Sequence, residues 1–123
     1  MSIARTTELL DRGNYIDFTF HDEAEAAADG TAMTVNAAHN TLVVEIDSDV
    51  TSHTVAFKGK GASSTYKSIN GLNLSTNSTA TSTTGKAELW EFDITGLTTV
   101  LMDITALVAG GGTTTIKGRA VTG

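Results

Sequence analysis

The feature that most constrains this chain is an alternation of apolar and polar residues with a period of two. In residues 41–48, TLVVEIDS, Leu42, Val44 and Ile46 share one face, and Val43, Glu45 and Asp47 share the other. Successive side chains of a strand point to opposite sides, so this pattern predicts a half-buried strand. The pattern recurs along the chain. Residues 15–20 bring Ile16, Phe18 and Phe20 together, with a turn expected to begin at His21. Residues 31–36 pair Met33 with Val35, and residues 53–58 pair Val55 with Phe57. Residues 86–94 set Trp90, Phe92 and Ile94 against Leu89, Glu91 and Asp93. Residues 98–108 align Val100, Met102, Ile104 and Ala106, and residues 113–121 carry Ile116 with Lys117 and Arg119 outward.

Composition supports the same reading. Thr occurs 22 times and Ser 9 times, and there is no Pro. Thr is β-branched and favours strands, while Ser, Asn and Gly favour the turns between them. The expected fold is all-β: a single β-sandwich, jelly-roll-like, of about eight short strands over residues 15–123. Residues 1–14 form a polar N-terminal arm, with Thr6 or Thr7 able to cap a short helical turn. Three connections carry specific expectations. Asn70-Gly71 has the chemistry of a type I′ turn, and Gly110-Gly111-Gly112 that of a hairpin loop. The acidic, Ala-rich stretch 21–30 is read as a loop with one helical turn. Residues 75–85, STNSTATSTTG, lack a large apolar anchor and are expected as a mobile loop or loosely packed edge.

Length and charge exclude several classes. A chain of 123 residues makes one domain. Without Cys there is no disulfide scaffold, thiolate metal centre or Cys nucleophile. No apolar run approaches the ~20 residues of a membrane helix, and MSIARTTELLDRGNY has no apolar core, so no signal peptide is expected. A net charge of -6 does not suit nucleic-acid binding, which draws its affinity from basic groups on phosphates. The charge is unevenly spread: residues 1–49 sum to −8 and residues 50–123 to +2. Such a split marks either surfaces that face different partners or a solvated acidic edge.

Candidate chemistry is sparse. His21, Asp22, Glu23, Glu25 and Asp29 could ligate a divalent ion, but their spacing matches no EF-hand loop and no HExxH motif, and solvated charge is the simpler reading. Asp47-Ser48-Asp49 reads as turn chemistry before it reads as a calcium site. Neither His21, His39 nor His53 lies in a nucleophile motif, and no GxSxG elbow is present. Glu88 and Glu91 fall on opposite faces of their strand, so they cannot act as a glycosidase pair. Gly59-Lys60-Gly61 lacks the rest of a P-loop. Trp90 shares its face with Phe92 and Ile94 and is expected in the core, leaving Tyr15 and Tyr66 as the exposed aromatics. No enzyme activity, cofactor or metal is expected.

Four segments resemble the small β-sandwich structural proteins of tailed bacteriophages. They are Val55-Ala56-Phe57-Lys58-Gly59, Ser64-Thr65-Tyr66-Lys67-Ser68-Ile69, Leu89-Trp90-Glu91-Phe92-Asp93-Ile94-Thr95-Gly96-Leu97 and Thr115-Ile116-Lys117-Gly118-Arg119-Ala120. The match covers roughly residues 41–123. It departs at Gly59-Lys60-Gly61-Ala62-Ser63-Ser64, where the family has Gly-Ser and Asp-Gly. Members decorate capsids, belong to tails or sit in adhesion devices, so the resemblance implies a virion part. The expected role is a capsid decoration (cement) protein, made in the host cytoplasm and placed on the capsid surface. Its partners would be the major capsid protein and itself, as a homotrimer, with no nucleic acid and no membrane. The arm would make the contact, through Ile3, Arg5, Leu9, Leu10 and Arg12. The alternative is a tail-associated or receptor-binding module that recognises cell-surface glycan.

Overall fold

A computed structural model describes residues 15–36 and 38–122. The arm and its five contact candidates (Ile3, Arg5, Leu9, Leu10 and Arg12) lie outside the described residues. Those residues contain no helix and form eleven strands. They are β1 (Tyr15–Ala24), β2 (Met33–Thr34), β3 (Thr41–Ser48), β4 (Ser52–Lys60), β5 (Lys67–Ser68), β6 (Gly71–Asn73), β7 (Thr79–Ala80), β8 (Ser82–Thr83), β9 (Ala87–Asp93), β10 (Thr99–Val108) and β11 (Thr114–Val121).

Two antiparallel sheets result. One has the order β1-β11-β3-β9-β6-β7, and the other β2-β10-β4-β5, with β8 also on β4. Leaving out β6, β7 and β8, the remaining eight strands run first–eighth–third–sixth in one sheet and second–seventh–fourth–fifth in the other. That is the jelly-roll order. The three additional strands, of two or three residues each, occupy the stretch between β5 and β9.

The core lies between the sheets, as the alternation requires. Phe20, Leu42, Val44, Ile46, Trp90, Phe92 and Ile116 face Met33, Val55, Phe57, Val100, Met102 and Ile104, all buried. Phe57 is central. Its ring centroid lies 4.9 Å from both Trp90 and Phe92, in the tilted and edge-on arrangements aromatic rings prefer. The motif residues behind the phage resemblance are packing and turn residues. The Asp93 carboxylate accepts the Thr95 N–H at 3.0 Å, and Leu97 N–H closes a turn on the Ile94 carbonyl. A Cβ on Gly118 would meet Phe20 at 2.9 Å and Leu42 at 3.0 Å, so only glycine lets those two side chains close over β11 there.

The structure departs from the sequence expectations at five places. β1 does not turn at His21 but continues to Ala24. Register shifts between Thr19 and His21, and between His21 and Ala24, mark bulges that let the consecutive Phe20 and His21 both be buried. The stretch after β1 has no helical turn; Ala28 instead exchanges two backbone hydrogen bonds with Ile104, at 3.0 Å each. Asn70-Gly71 is not a type I′ turn, because neither residue has a positive φ and the chain there passes from one sheet to the other. Gly110-Gly111-Gly112 likewise joins β10 to β11 in opposite sheets, so it is a crossover and not a hairpin. A further shift between Ile104 and Ala106 turns Ala106 outward, away from the face expected for it.

Candidate functional site

The outer face of the six-stranded sheet carries an ordered array of charged and apolar side chains. Register places its side chains in rows across the strands. One row runs Asp17, Arg119, Val43, Glu91, and the next Thr19, Lys117, Glu45, Leu89. β11, the basic strand from the second half of the chain, lies between the acidic strands β1 and β3 from the first half. Part of the charge split is therefore interleaved within this sheet, while Lys58, Lys60 and Lys67 lie on β4 and β5 of the other sheet.

A shallow groove of about 430 Å³ runs over this face, bordered by Asp17, Val43, Glu45, Leu89, Lys117 and Arg119. Arg119 is held on one side by Asp17, with Nε donating to Oδ1 at 2.7 Å and Nη2 to Oδ2 at 3.0 Å. Its guanidinium also lies 4.3 Å from the Tyr15 ring centroid, a cation–π distance. The hydrogen bond from Arg119 holds the Asp17 carboxyl below the usual carboxylate range. Both side chains are more than half exposed, so this pair orders the surface more than it stabilises the fold. Lys117 and Glu45 are direct cross-strand neighbours. Leu89 is 43% exposed and Tyr15 50%. The face thus offers fixed charges of both signs around apolar surface, which suits contact with another protein.

The three histidines are all buried. His21 Nε2 donates to the Met102 carbonyl at 2.6 Å. His53 Nε2 donates to the Gly85 carbonyl at 2.7 Å, and its Nδ1 lies 3.0 Å from Thr114 Oγ1. Thr114 Oγ1 is in turn 2.8 Å from Ser48 Oγ. A carbonyl only accepts, so Nε2 carries the proton and, in a neutral ring, Nδ1 accepts from Thr114. Hydroxyl, imidazole and orienting carbonyl thus stand in the order of a nucleophile, base and orienter. Thr114 is fully buried, however, so no substrate carbonyl can approach it. The network fastens β3, β4 and β11 to the turn at Gly85. Among the described residues the His39 ring makes no such bonds.

The other sequence candidates separate as well. His21 is buried while Asp22 and Glu23 are exposed, and among the described residues no three His, Asp or Glu side chains gather as a metal site needs. Asp49 accepts the Thr113 N–H at 2.8 Å, and Ser48 Oγ accepts the Val50 N–H, so Asp47-Ser48-Asp49 serves as a turn. Glu88 lies on the inner side of β9, opposite in direction to Glu91, and accepts three donors: Thr83 Oγ1 at 2.6 Å, Trp90 Nε1 at 2.9 Å and Asn73 Nδ2 at 3.3 Å. Residues 75–85 are therefore an anchored edge bearing β7 and β8, and not a free loop. Tyr66 has the Lys60 ammonium 4.5 Å from its ring centroid. On the opposite outer face, Lys58 donates to Asp103 at 2.7 Å, and that bond raises the Lys58 pKa.

Comparison with known proteins gives a consistent picture. A family model described as XepA matches residues 14–120. The phage-like element PBSX protein XepA of Bacillus subtilis (strain 168) is 41% identical over 105 residues, which are 85% of this chain and 37% of that protein. The crystal structure of PBSX exported protein XepA superposes with a TM-score of 0.83 at 39% identity, covering 88% of this chain and 38% of that one. The crystal structure of SPBc2 prophage-derived protein YomS gives 0.82 at 27% identity, covering 89% and 94%. The chain spans little more than a third of XepA and of a second relative, YqxG of the same strain. The phage relationship implied by the sequence motifs thus holds at the level of phage-element and prophage proteins.

Proposed function

Because the chain belongs to the XepA family, we propose that it is a phage-encoded structural module that works by contact and not by catalysis. In its specific form it is a capsid decoration protein, bound to the outside of the head shell and bridging neighbouring subunits. The observation that carries this reading is the outer face of the six-stranded sheet, where register fixes charges of both signs around the exposed Leu89 and Tyr15. Four strands of about eight residues present roughly 500 Å² in plan. A stable interface buries about 800 Å² per partner. Attachment by this face therefore needs a second contact, which residues 1–14 and copies of the chain acting together would supply. Its partners are then the major capsid protein and itself, as a homotrimer.

The test is sedimentation of the purified protein with empty expanded shells. The protein should pellet with them. The double variant Lys117→Glu, Leu89→Asp should stay in the supernatant with unchanged thermal unfolding, and removing residues 1–14 should release a folded sandwich. Wild-type protein that stays in solution refutes the decoration role.

One observation favours a second reading. The relative XepA is described as exported. A module acting outside the producing cell would meet cell-surface glycan, as a tail-associated or receptor-binding part. Pelleting with purified cell walls and not with shells would select this reading.

A further inference from the structure

We infer that the end of the sandwich formed by residues 34–36, His39 and residues 96–98 is a binding site for a neutral sugar residue, with His39 in its wall. The inference rests on the second reading above, and it names the site through which that reading would operate.

His39 is the anomaly that points there. It is only 4% exposed, and among the described residues neither ring nitrogen has a hydrogen-bond partner. A neutral imidazole carries one donor and one acceptor, so both are unsatisfied. Buried polar groups are nearly always paired, and an exception calls for an explanation. The other two histidines of this chain obey the rule. The backbone around His39 is also well fixed. His39 N–H bonds the Asn36 carbonyl at 2.9 Å, Asn36 Oδ1 accepts the Ala38 N–H at 2.9 Å, and Asn40 bonds both Val121 and Ile94 at 3.0 Å. The ring is therefore placed where it is by a bonded turn.

Beside it lies an open depression of about 410 Å³, bordered by Thr34, Val35, Asn36, His39, Leu97 and Thr98. This falls within the ~300–1,000 Å³ usual for small-molecule sites. Among the described residues, no Asp, Glu, Lys or Arg lines it, which disfavours an ionic ligand. Two hydroxyls, an amide and an imidazole stand beside two aliphatic side chains. A pyranose matches that set, with hydroxyls around its edge and C–H groups on its face. Both His39 nitrogens are shielded from bulk water. Engagement therefore turns the ring into the depression, where sugar hydroxyls give it the donor and the acceptor it lacks.

Imidazole ¹⁵N NMR tests this directly, with glucose, galactose and N-acetylglucosamine as probes. One of the three sugars should shift the His39 ring nitrogens and leave those of His21 and His53 in place. His39→Phe keeps the volume, removes both nitrogens and should abolish the response of the neighbouring Asn36 and Thr98 amides. Unchanged His39 signals with all three sugars overturn the inference, as does an equal amide response in His39→Phe. Cell-wall binding that survives His39→Phe undiminished also overturns this site while leaving the second reading intact. A specific His39 response in a protein that binds no cell wall supports the site and removes that reading.

Discussion

Gly71 offers a measurement of how tightly the aromatic centre is closed. It begins β6, just after the chain passes between the sheets. A Cβ placed there would lie 2.6 Å from Phe92 Cε2, 2.8 Å from Cζ and 2.9 Å from Trp90 Cε3. Carbon atoms rest at about 3.5–4.0 Å, so the overlap is close to 1 Å. Neither ring can step aside, because both pack on Phe57 and Trp90 is also tied to Glu88 at 2.9 Å. Forcing a methyl into such a site costs about 1–3 kcal/mol. Against this, Gly→Ala restricts the unfolded chain and returns about 0.4–1 kcal/mol. Gly71→Ala should therefore destabilise by about 1–2 kcal/mol. Gly61→Ala is the control, since nothing lies within 4 Å of its Cβ and its φ is not positive. It should show only the gain. Urea unfolding followed by the single Trp90 reads both. With a slope of about 2 kcal/mol/M, the two midpoints should stand about 1 M apart at equal slope. Coincident midpoints, or Gly71→Ala the more stable of the two, would refute the close packing described here.

Three further outcomes follow from the described contacts. Glu88→Ala leaves the buried Trp90 indole N–H without its acceptor and should cost about 1–3 kcal/mol with a shifted Trp90 emission maximum, whereas unchanged stability and emission would count against that bond. Asp17 is held below the usual carboxylate range by Arg119, so its stabilising effect is complete above the unfolded value near pH 3.9 and is lost as pH falls through the folded value. Asp17→Asn should therefore flatten the acid limb of the stability profile at low salt, and an identical limb would contradict the pairing. His53→Leu removes the ring that joins Thr114 to Gly85 and should lower the unfolding midpoint by about 1–3 kcal/mol equivalent, measured by the same urea titration.

Much of the fold was legible because burial imposes parity on a strand. Leu42, Val44 and Ile46 alternate with less buried neighbours as expected, and β3 takes the same bounds, 41–48. Parity fails where a bulge inserts a residue, which is why His21, expected to begin a turn, is buried within β1 and why Ala106 departed from its expected face. Connections were harder to read. Asn70-Gly71 and the three glycines at 110–112 carry turn chemistry that a hairpin and a crossover share; what separates them is which sheet the next strand joins. The surfaces were harder still. The pairing of Asp17 with Arg119 spans 102 residues, and His21 finds Met102 across 81. The unpaired state of His39 has no local sign at all, since AHN looks like any polar turn.

The antiparallel pairing of β1 with β11 sets Tyr15 directly opposite Val121. The polypeptide thus enters and leaves the sandwich at a single corner, while the crossover at Gly110–Gly112 sits at the far pole. A block with both tethers at one corner can be appended to, or spliced into, a longer protein without disturbing its interior. A matching β-unit makes up most of YomS and little more than a third of XepA, and a block tethered at one corner suits both settings.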